Sequence, residues 1–533
     1  MKTPRNISSQ IIEMNDGKYI HFGFAESLRH SIKMHFQTYP VELKVNINID
    51  GLPISKSSGS QFWPILGAIV ADFYSEPFVI GIYHGNTKPK DADVFLKSFV
   101  EEAKCILDNG LNINKMIIRI KLNAIICDAP AKSFICGIKG HTGYFSCTKC
   151  IQEGEFINNK VVFLELNSPL RTDHSFSTRQ HEEHHVEKYL TQLTSIETLG
   201  IGIIFTVPID CMHLIFLGVN KRILRFWIKG AINIRLPAVS LDKAQQRNNK
   251  LKKFIPVEFA RRPRDLLDLD RWKATEHKLF ALYTGIIITK NVLSKKLYMH
   301  FTCLCVAVRI VSDKQYKHML HYAQSLFEYF VRKFREYYGD QYLSHNVHNL
   351  LHICEDVKRF ETIDSYSAFK YENYLYTIKK SLQVSGKPLE QIANRIIEKR
   401  NIEKNFRYSM KDYPIIYYDK NKTRVKRVEF DGFMLSSNNP DNCCSLINNI
   451  IATVNDIYFS NNILYFRVTQ HLSVEPFFSS PCDSTLVGIY KISEAVLSYA
   501  IVTANEISRK CLKADNIMSS DDDHSSIIIS LLH

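Results

Sequence analysis

The stretch Leu43-Lys44-Val45-Asn46-Ile47-Asn48-Ile49-Asp50-Gly51-Leu52-Pro53 decides the reading of the fold. Its apolar, β-branched part, Leu43–Ile49, predicts a strand that Asp50 closes, with a Gly/Pro turn behind it. Working outward, Pro64–Val70, Phe78–Tyr83 and Met116–Ile126 repeat the pattern and are further predicted strands. Between the last two lies Asp91–Leu107, where Val94, Phe95, Phe99, Ala103 and Ile106 recur at helical spacing and Asp91 is placed to cap the start.

The predicted order is strand, strand, strand, helix, strand, which is the opening of an RNase H-like α/β fold. Asp50 ends its first strand, and Asp128, closing Ala124-Ile125-Ile126-Cys127, ends its fourth. From Ala129 to about Leu199 the sequence is loop-rich with Cys and His clusters. From Met212 to about Tyr338 apolar residues recur at helical spacing, as in His321–Tyr338, where Tyr322, Leu326, Tyr329 and Phe330 share a face. Helices are predicted again over Ser365–Leu382 and Pro388–Phe406. After the basic linker Lys420–Arg427 come short alternating runs such as Asn462–Val468 and Thr485–Ile492.

The chain therefore divides into an N-terminal extension (1–42), the first part of an RNase H-like core with a Cys/His loop (43–179), and a mostly helical, basic insertion (180–345). The last part of the core, carrying a third acid, follows (346–419), then a small β-rich C-terminal domain (428–512) and a disordered acidic tail (513–533).

Composition bounds the function. With 45% apolar and 23% charged residues among 533, the chain is globular and long enough for two or three domains. No apolar run reaches the roughly 18 to 20 residues of a membrane span, and no signal-peptide core follows Met1, so a soluble intracellular protein without a membrane partner is expected. Thirteen scattered cysteines, an odd number, argue against a disulfide framework. The formal charge of +14 is unevenly spread: Lys221–Lys278 holds sixteen Lys/Arg against six Asp/Glu, whereas Val428–His533 holds five against twelve. A polyanion such as double-stranded DNA is the partner this suits, with Lys221, Arg222, Arg225, Lys252, Lys253, Arg261, Arg262 and Arg264 as candidate contacts.

Two constellations carry chemistry. The first is acidic: Asp50, Asp128 and Glu372, the last on the predicted helix within Phe369-Lys370-Tyr371-Glu372-Asn373-Tyr374-Leu375. Carboxylates at two strand ends and one on a helix are what two Mg²⁺ or Mn²⁺ ions need for phosphoryl transfer. A turn residue or a solvated helix residue explains each acid taken singly. The second is Cys147-Thr148-Lys149-Cys150, a CxxC that offers two ligands to a structural Zn²⁺. The other two ligands are to be drawn from His141, His185, Cys211 and His213. His348 and His352, four apart on a predicted helix, could share a face with Asp356 and bind a metal, but read more readily as core or capping histidines.

Together these motifs resemble DDE transposases of the CACTA (En/Spm) type. The resemblance rests on Asn48-Ile49-Asp50-Gly51-Leu52-Pro53 with Lys56-Ser57-Ser58 and Trp63-Pro64-Ile65-Leu66, then on Cys127-Asp128-Ala129-Pro130-Ala131-Lys132 with Gly140-His141-Thr142-Gly143 and Cys147–Cys150. It continues through Pro208-Ile209-Asp210-Cys211-Met212-His213-Leu214, His348-Asn349-Leu350-Leu351-His352, and Phe369–Leu375 with Lys379-Lys380, spanning most of residues 43 to 400.

The resemblance implies that Asp50, Asp128 and Glu372 are the metal-binding acids and that Asp210 and His213 form the DxxH between the second and third. It also implies hydrolysis and strand transfer at the ends of a mobile element, self-association and a nuclear location. Such transposases usually carry an N-terminal module that reads the element's ends, and only about forty residues precede the first predicted strand here. A truncated copy or a domesticated derivative that binds DNA or chromatin without cutting is the alternative expectation; a nuclease acting on RNA or a hybrid duplex is a third.

Overall fold

The computed structural model describes residues 7–14, 17–55, 58–384, 386–403, 412–493, 496–518 and 525–532. Lys56 and Ser57 of the first motif, the end of the helix expected to reach Phe406, and the acidic run Ser519–Asp523 lie outside these residues. The chain forms two compact units, Met1–Leu214 with Asp340–Met410, and Ile215–Gly339 with Lys411–His533. Among the described residues no helix is long and apolar enough to cross a membrane.

The first unit is built on one mixed sheet. Its strands are β1 (Ile11–Met14), β2 (Gly17–His21), β3 (Glu42–Ile49), β4 (Leu52–Pro53), β5 (Gln61–Val70), β6 (Phe78–Gly85), β7 (Leu111–Ile113) and β8 (Met116–Ile126), in the order β1-β2-β6-β5-β3-β8-β7, with the short β4 on β5. β5 runs antiparallel to both β3 and β6, whereas β8 lies parallel to β3. A parallel neighbour needs a crossover, and α2 (Ala92–Asn109) supplies it. The Asp91 carboxylate caps α2 by accepting from Asp93 N (2.8 Å) and Val94 N.

Alternation along β3 explains its position. Val45, Ile47 and Ile49 join one core with Phe95, Leu96, Phe99 and Val100 of α2, each such buried side chain contributing about 1.5–3 kcal/mol. Asn46 and Asn48 are also buried, and each bonds to β8 through one end of its amide. Asn48 Nδ2 donates to Ile126 O (2.9 Å), tying β3 to β8 just before both strands end, and Asn46 Oδ1 accepts from Asn123 Nδ2 (2.8 Å).

The N-terminal residues are not a mere extension. β2 pairs along β6, and α1 (Phe24–His35) buries Phe24, Leu28 and Ile32 in the same core, so residues from 11 on complete the sheet. The strand of only five residues left no periodicity to read. The first unit also runs past residue 179 to Leu214, and takes in the helices Ile353–Phe360, Phe369–Lys380 and Pro388–Glu403.

In the second unit the helices include Lys221–Lys229, Ala238–Leu251, Lys295–Val311 and Leu320–Tyr338. The C-terminal segment is a β-rich domain, as expected, and it packs in one compact unit with these helices. The physical reason is a set of buried charges. Fully buried Arg309 donates to the carbonyls of Leu282, Val487 and Ser530, and Lys510 pairs with Glu258 and Asp441. Within 513–533, where a disordered tail was expected, Ser526–Ser530 is a strand that pairs with the strand Ile507–Asp515, and Ile527, Ile528 and Ile529 are buried. Three consecutive isoleucines outweigh the acidic run before them. The presumed linker also contains structure, since Ile415–Tyr418 pairs antiparallel with Val425–Glu429.

Candidate functional site

The parallel register that sets Asn48 opposite Ile126 brings the ends of β3 and β8 side by side, so the chain leaves the sheet at Asp50 and Asp128 on neighbouring strands. Asp50 is buried, and its Oδ1 accepts from Gly51 N (2.7 Å). Asp128 begins α3 (Ala129–Ile135), accepting from Ala131 N (2.7 Å). Glu372 sits in the first turn of the helix Phe369–Lys380. That helix is held near the first acid by Lys379 Nζ, which donates to Pro53 O (2.6 Å).

These acids converge with one histidine. Ligand-capable atoms of Asp50, His213 and Glu372 all lie within 4.8 Å of one another, a grouping able to hold a metal ion. Asp128 falls outside that tightest set but lines an adjoining cavity with Asp210 and His213. Burial, and then the charges of Asp128 and Glu372, push the Asp50 carboxyl well above the usual range, against the pull of His213 and Gly51 N–H. Negative groups gathered this closely in a buried place are stabilised by a cation.

The DxxH links these parts. Asp210 is buried; its Oδ2 meets His213 Nδ1 at 2.6 Å and His213 N at 3.1 Å, while its Oδ1 accepts from Ala368 N (3.0 Å), the residue before the Glu372 helix. One carboxylate thereby sets both the imidazole and the helix that carries the third acid. Asp210 is a positioning residue and not itself part of the close set. Burial opposes charging of His213, but the bond and charge of Asp210, with Asp50 and Asp128, carry it up to about 9.

A second grouping lies in the same unit. Cys147, Cys150, His348 and His352, all buried, place ligand atoms within 4.8 Å of one another. Cys150 Sγ is 3.5 Å from Cys147 Sγ and 3.3 Å from His348 Nε2, and the two Nε2 atoms are 3.2 Å apart. Burial works against ionisation of Cys147, yet the bond from Cys150 and the charges of His352 and His348 hold its thiol well below the ordinary range. The grouping can hold a metal ion.

The CxxC is therefore joined by His348 and His352, for which metal binding was the less favoured expectation and Asp356 the expected companion. The four residues expected in that role are elsewhere. His141 is exposed, and His185 meets Arg171 Nη2 at 3.0 Å. Cys211 lies 3.6 Å from Tyr366 Oη, and His213 belongs with the acids. The i, i+4 spacing of His348 and His352 was the available signal; nothing local indicated that a turn 200 residues upstream would face it.

Between the two groupings runs a buried polar chain that the sequence did not reveal. Lys149, inside the CxxC, donates to Asp356 Oδ1 (2.6 Å) and Ile204 O (2.6 Å), and Asp356 Oδ2 accepts from Ile209 N (2.8 Å), next to Asp210.

The candidate DNA-contacting residues all fall in the second unit. Several are committed locally. Arg225 pairs with Asp270 (3.0 Å), Lys252 with Asp265 (2.8 Å), and Arg264 grips Glu276 through two bonds. Lys253, Arg261 and Arg262 are exposed, and Lys221 and Arg222 half-buried.

Residues 410–530 match a family model described as a domain of unknown function (DUF8592), which spans the β-rich C-terminal segment. No curated protein matches the chain.

Proposed function

We propose that the protein is a DDE-type DNA transposase that hydrolyses a phosphodiester at an element's end and transfers the freed strand. The observation that carries this reading is the convergence of Glu372 and His213 on Asp50, with Asp128 ending the neighbouring parallel strand. The strand order β6-β5-β3-β8, antiparallel twice and then parallel, supports an RNase H-like core. On this reading the helical residues between the second and third acids are an insertion.

Asp50, Asp128 and Glu372 would hold two Mg²⁺ or Mn²⁺ ions, which supply activation of the attacking oxygen and stabilisation of the leaving one. The chain's own contribution is placement. β3 and β8 fix two carboxylates, Asp210 fixes the helix of the third, and the same Asp210 occupies His213 Nδ1. With Nδ1 engaged by Asp210, His213 has Nε2 left to offer to the site. Cys147, Cys150, His348 and His352 suit a structural Zn²⁺, since two thiolates and two imidazoles are among its usual closed sets. Duplex DNA as substrate, self-association on paired ends and a nuclear location belong to the same reading.

The test is cleavage of a DNA duplex bearing candidate terminal repeats by the full chain in Mn²⁺, comparing wild type with Asp128→Ala and Glu372→Gln. Cleavage lost in both variants is expected. Equal cleavage by all three refutes the assignment, and binding without cleavage by the wild type favours a domesticated DNA-binding protein.

A further inference from the structure

Two lysines are buried near the acids, and the fold treats them differently. Lys149 is closed into an ion pair with Asp356. Lys132, one turn into α3 from Asp128, is only 7% exposed, yet its single hydrogen-bonding neighbour is Thr148 Oγ1 at 3.5 Å, and no carboxylate pairs with it among the described residues. A buried ammonium is costly unless a counter-charge meets it. Lys132 instead lines a cavity of about 510 Å³, counting the space at its mouth. The cavity is lined by Asp128, Asp210 and His213, by the neutral polar residues Ser133, Thr148 and Asn346, and by exposed Lys139 and His141.

We propose that this cavity is a phosphate subsite, in which Lys132 receives a backbone phosphate of the nucleic-acid strand next to the one held at the acids. The assignment rests on the proposed function, because a cation held by Asp128 would remove the repulsion that this carboxylate would otherwise exert on an anion. Burial, then the charge of Lys149, lowers the Lys132 ammonium to about 8, so it still carries its proton at neutral pH. A phosphate in the cavity supplies the missing partner, and Lys139 and Asn346 of its lining offer donors to the remaining oxygens.

The experiment measures binding of the full chain to a DNA duplex as a function of salt, without requiring cleavage. Lys132→Met keeps the apolar stem and removes the charge. Loss of one phosphate contact is expected to weaken binding about tenfold and to reduce the slope of log K against log salt by about 0.9. Ser133→Phe, which fills the cavity from a half-buried wall and leaves Lys132 in place, is expected to weaken binding likewise, and it decides the matter if Lys132→Met fails to fold. Unchanged affinity and slope in the folded variants overturns the proposal.

A second arm follows inorganic phosphate by ³¹P line broadening. Broadening that depends on Lys132, with the DNA salt slope unaltered, assigns the cavity to free phosphate and overturns the strand assignment. The two readings fail separately. A slope change with no cleavage by the wild type retains the subsite and removes the transposase, whereas cleavage with an unaltered slope does the reverse.

Discussion

Asp356→Ala tests whether the buried chain between the two groupings holds this unit together. Lys149 and Asp356 have side chains 6% and 4% exposed, and their 2.6 Å contact lies where water cannot replace either partner. Removing one partner of a buried pair costs about 3–5 kcal/mol, because the other charge stays buried without compensation. Ile209 N also loses its acceptor, which adds about 1–3 kcal/mol. The sum, about 4–8 kcal/mol, is comparable with the roughly 5–15 kcal/mol that keeps a domain folded. At roughly 2 °C per kcal/mol for a unit this large, melting followed by circular dichroism should fall by on the order of 10 °C. Lys149→Met combined with Asp356→Leu should recover much of the loss, since apolar replacement of a whole buried pair is often neutral. A single variant melting within about 2 °C of wild type, or a double variant no better than the single, refutes the reasoning.

Three further outcomes are expected. Metal analysis of the purified protein should find one zinc per chain, lost in Cys150→Ser and in His348→Ala but retained in His141→Ala; zinc unaffected by the first two disproves the ligand set. Glu372→Gln should reduce DNA cleavage at least a hundredfold in Mn²⁺ while leaving the melting temperature within a few degrees, read by gel assay and calorimetry. Buried His300, stacked on Phe330 with Nε2 2.9 Å from Phe330 O, is depressed to about 4 by burial. Its contribution to stability is complete above the unfolded value near 6.5 and is lost as pH falls through about 4, by about 3 kcal/mol in all. His300→Gln should flatten that part of the melting-temperature profile; an unaltered profile contradicts the assignment.

The elements of the first sheet were legible because their periodicity is local. Glu42–Ile49, Phe78–Gly85 and Met116–Ile126 lie within two residues of their predicted bounds, and Asp91 caps the expected helix. Gln61–Val70 begins three residues early, and Thr485–Ile492 divides into a helical turn and a strand of four residues. The β-rich character of the C-terminal segment was equally readable from its short alternating runs. Its packing with the helices of the second unit was not, because that depended on where Arg309 and Lys510 find acceptors far away in the chain.

What the sequence by itself determined is which backbone runs become strands and helices, and hence that Asp50 and Asp128 end strands while Glu372 rides a helix. Side-chain period and turn chemistry act over a few residues, so one chain suffices to read them. Only the tertiary structure decided which groups meet. The parallel pairing of β3 with β8 sets two acids side by side, Asp210 reaches across to the Glu372 helix, and His348 and His352 turn to face a CxxC about 200 residues earlier. Those meetings depend on packing between distant segments, where a buried carboxylate or thiol must find its partner, and spacing along the chain carries no record of that distance.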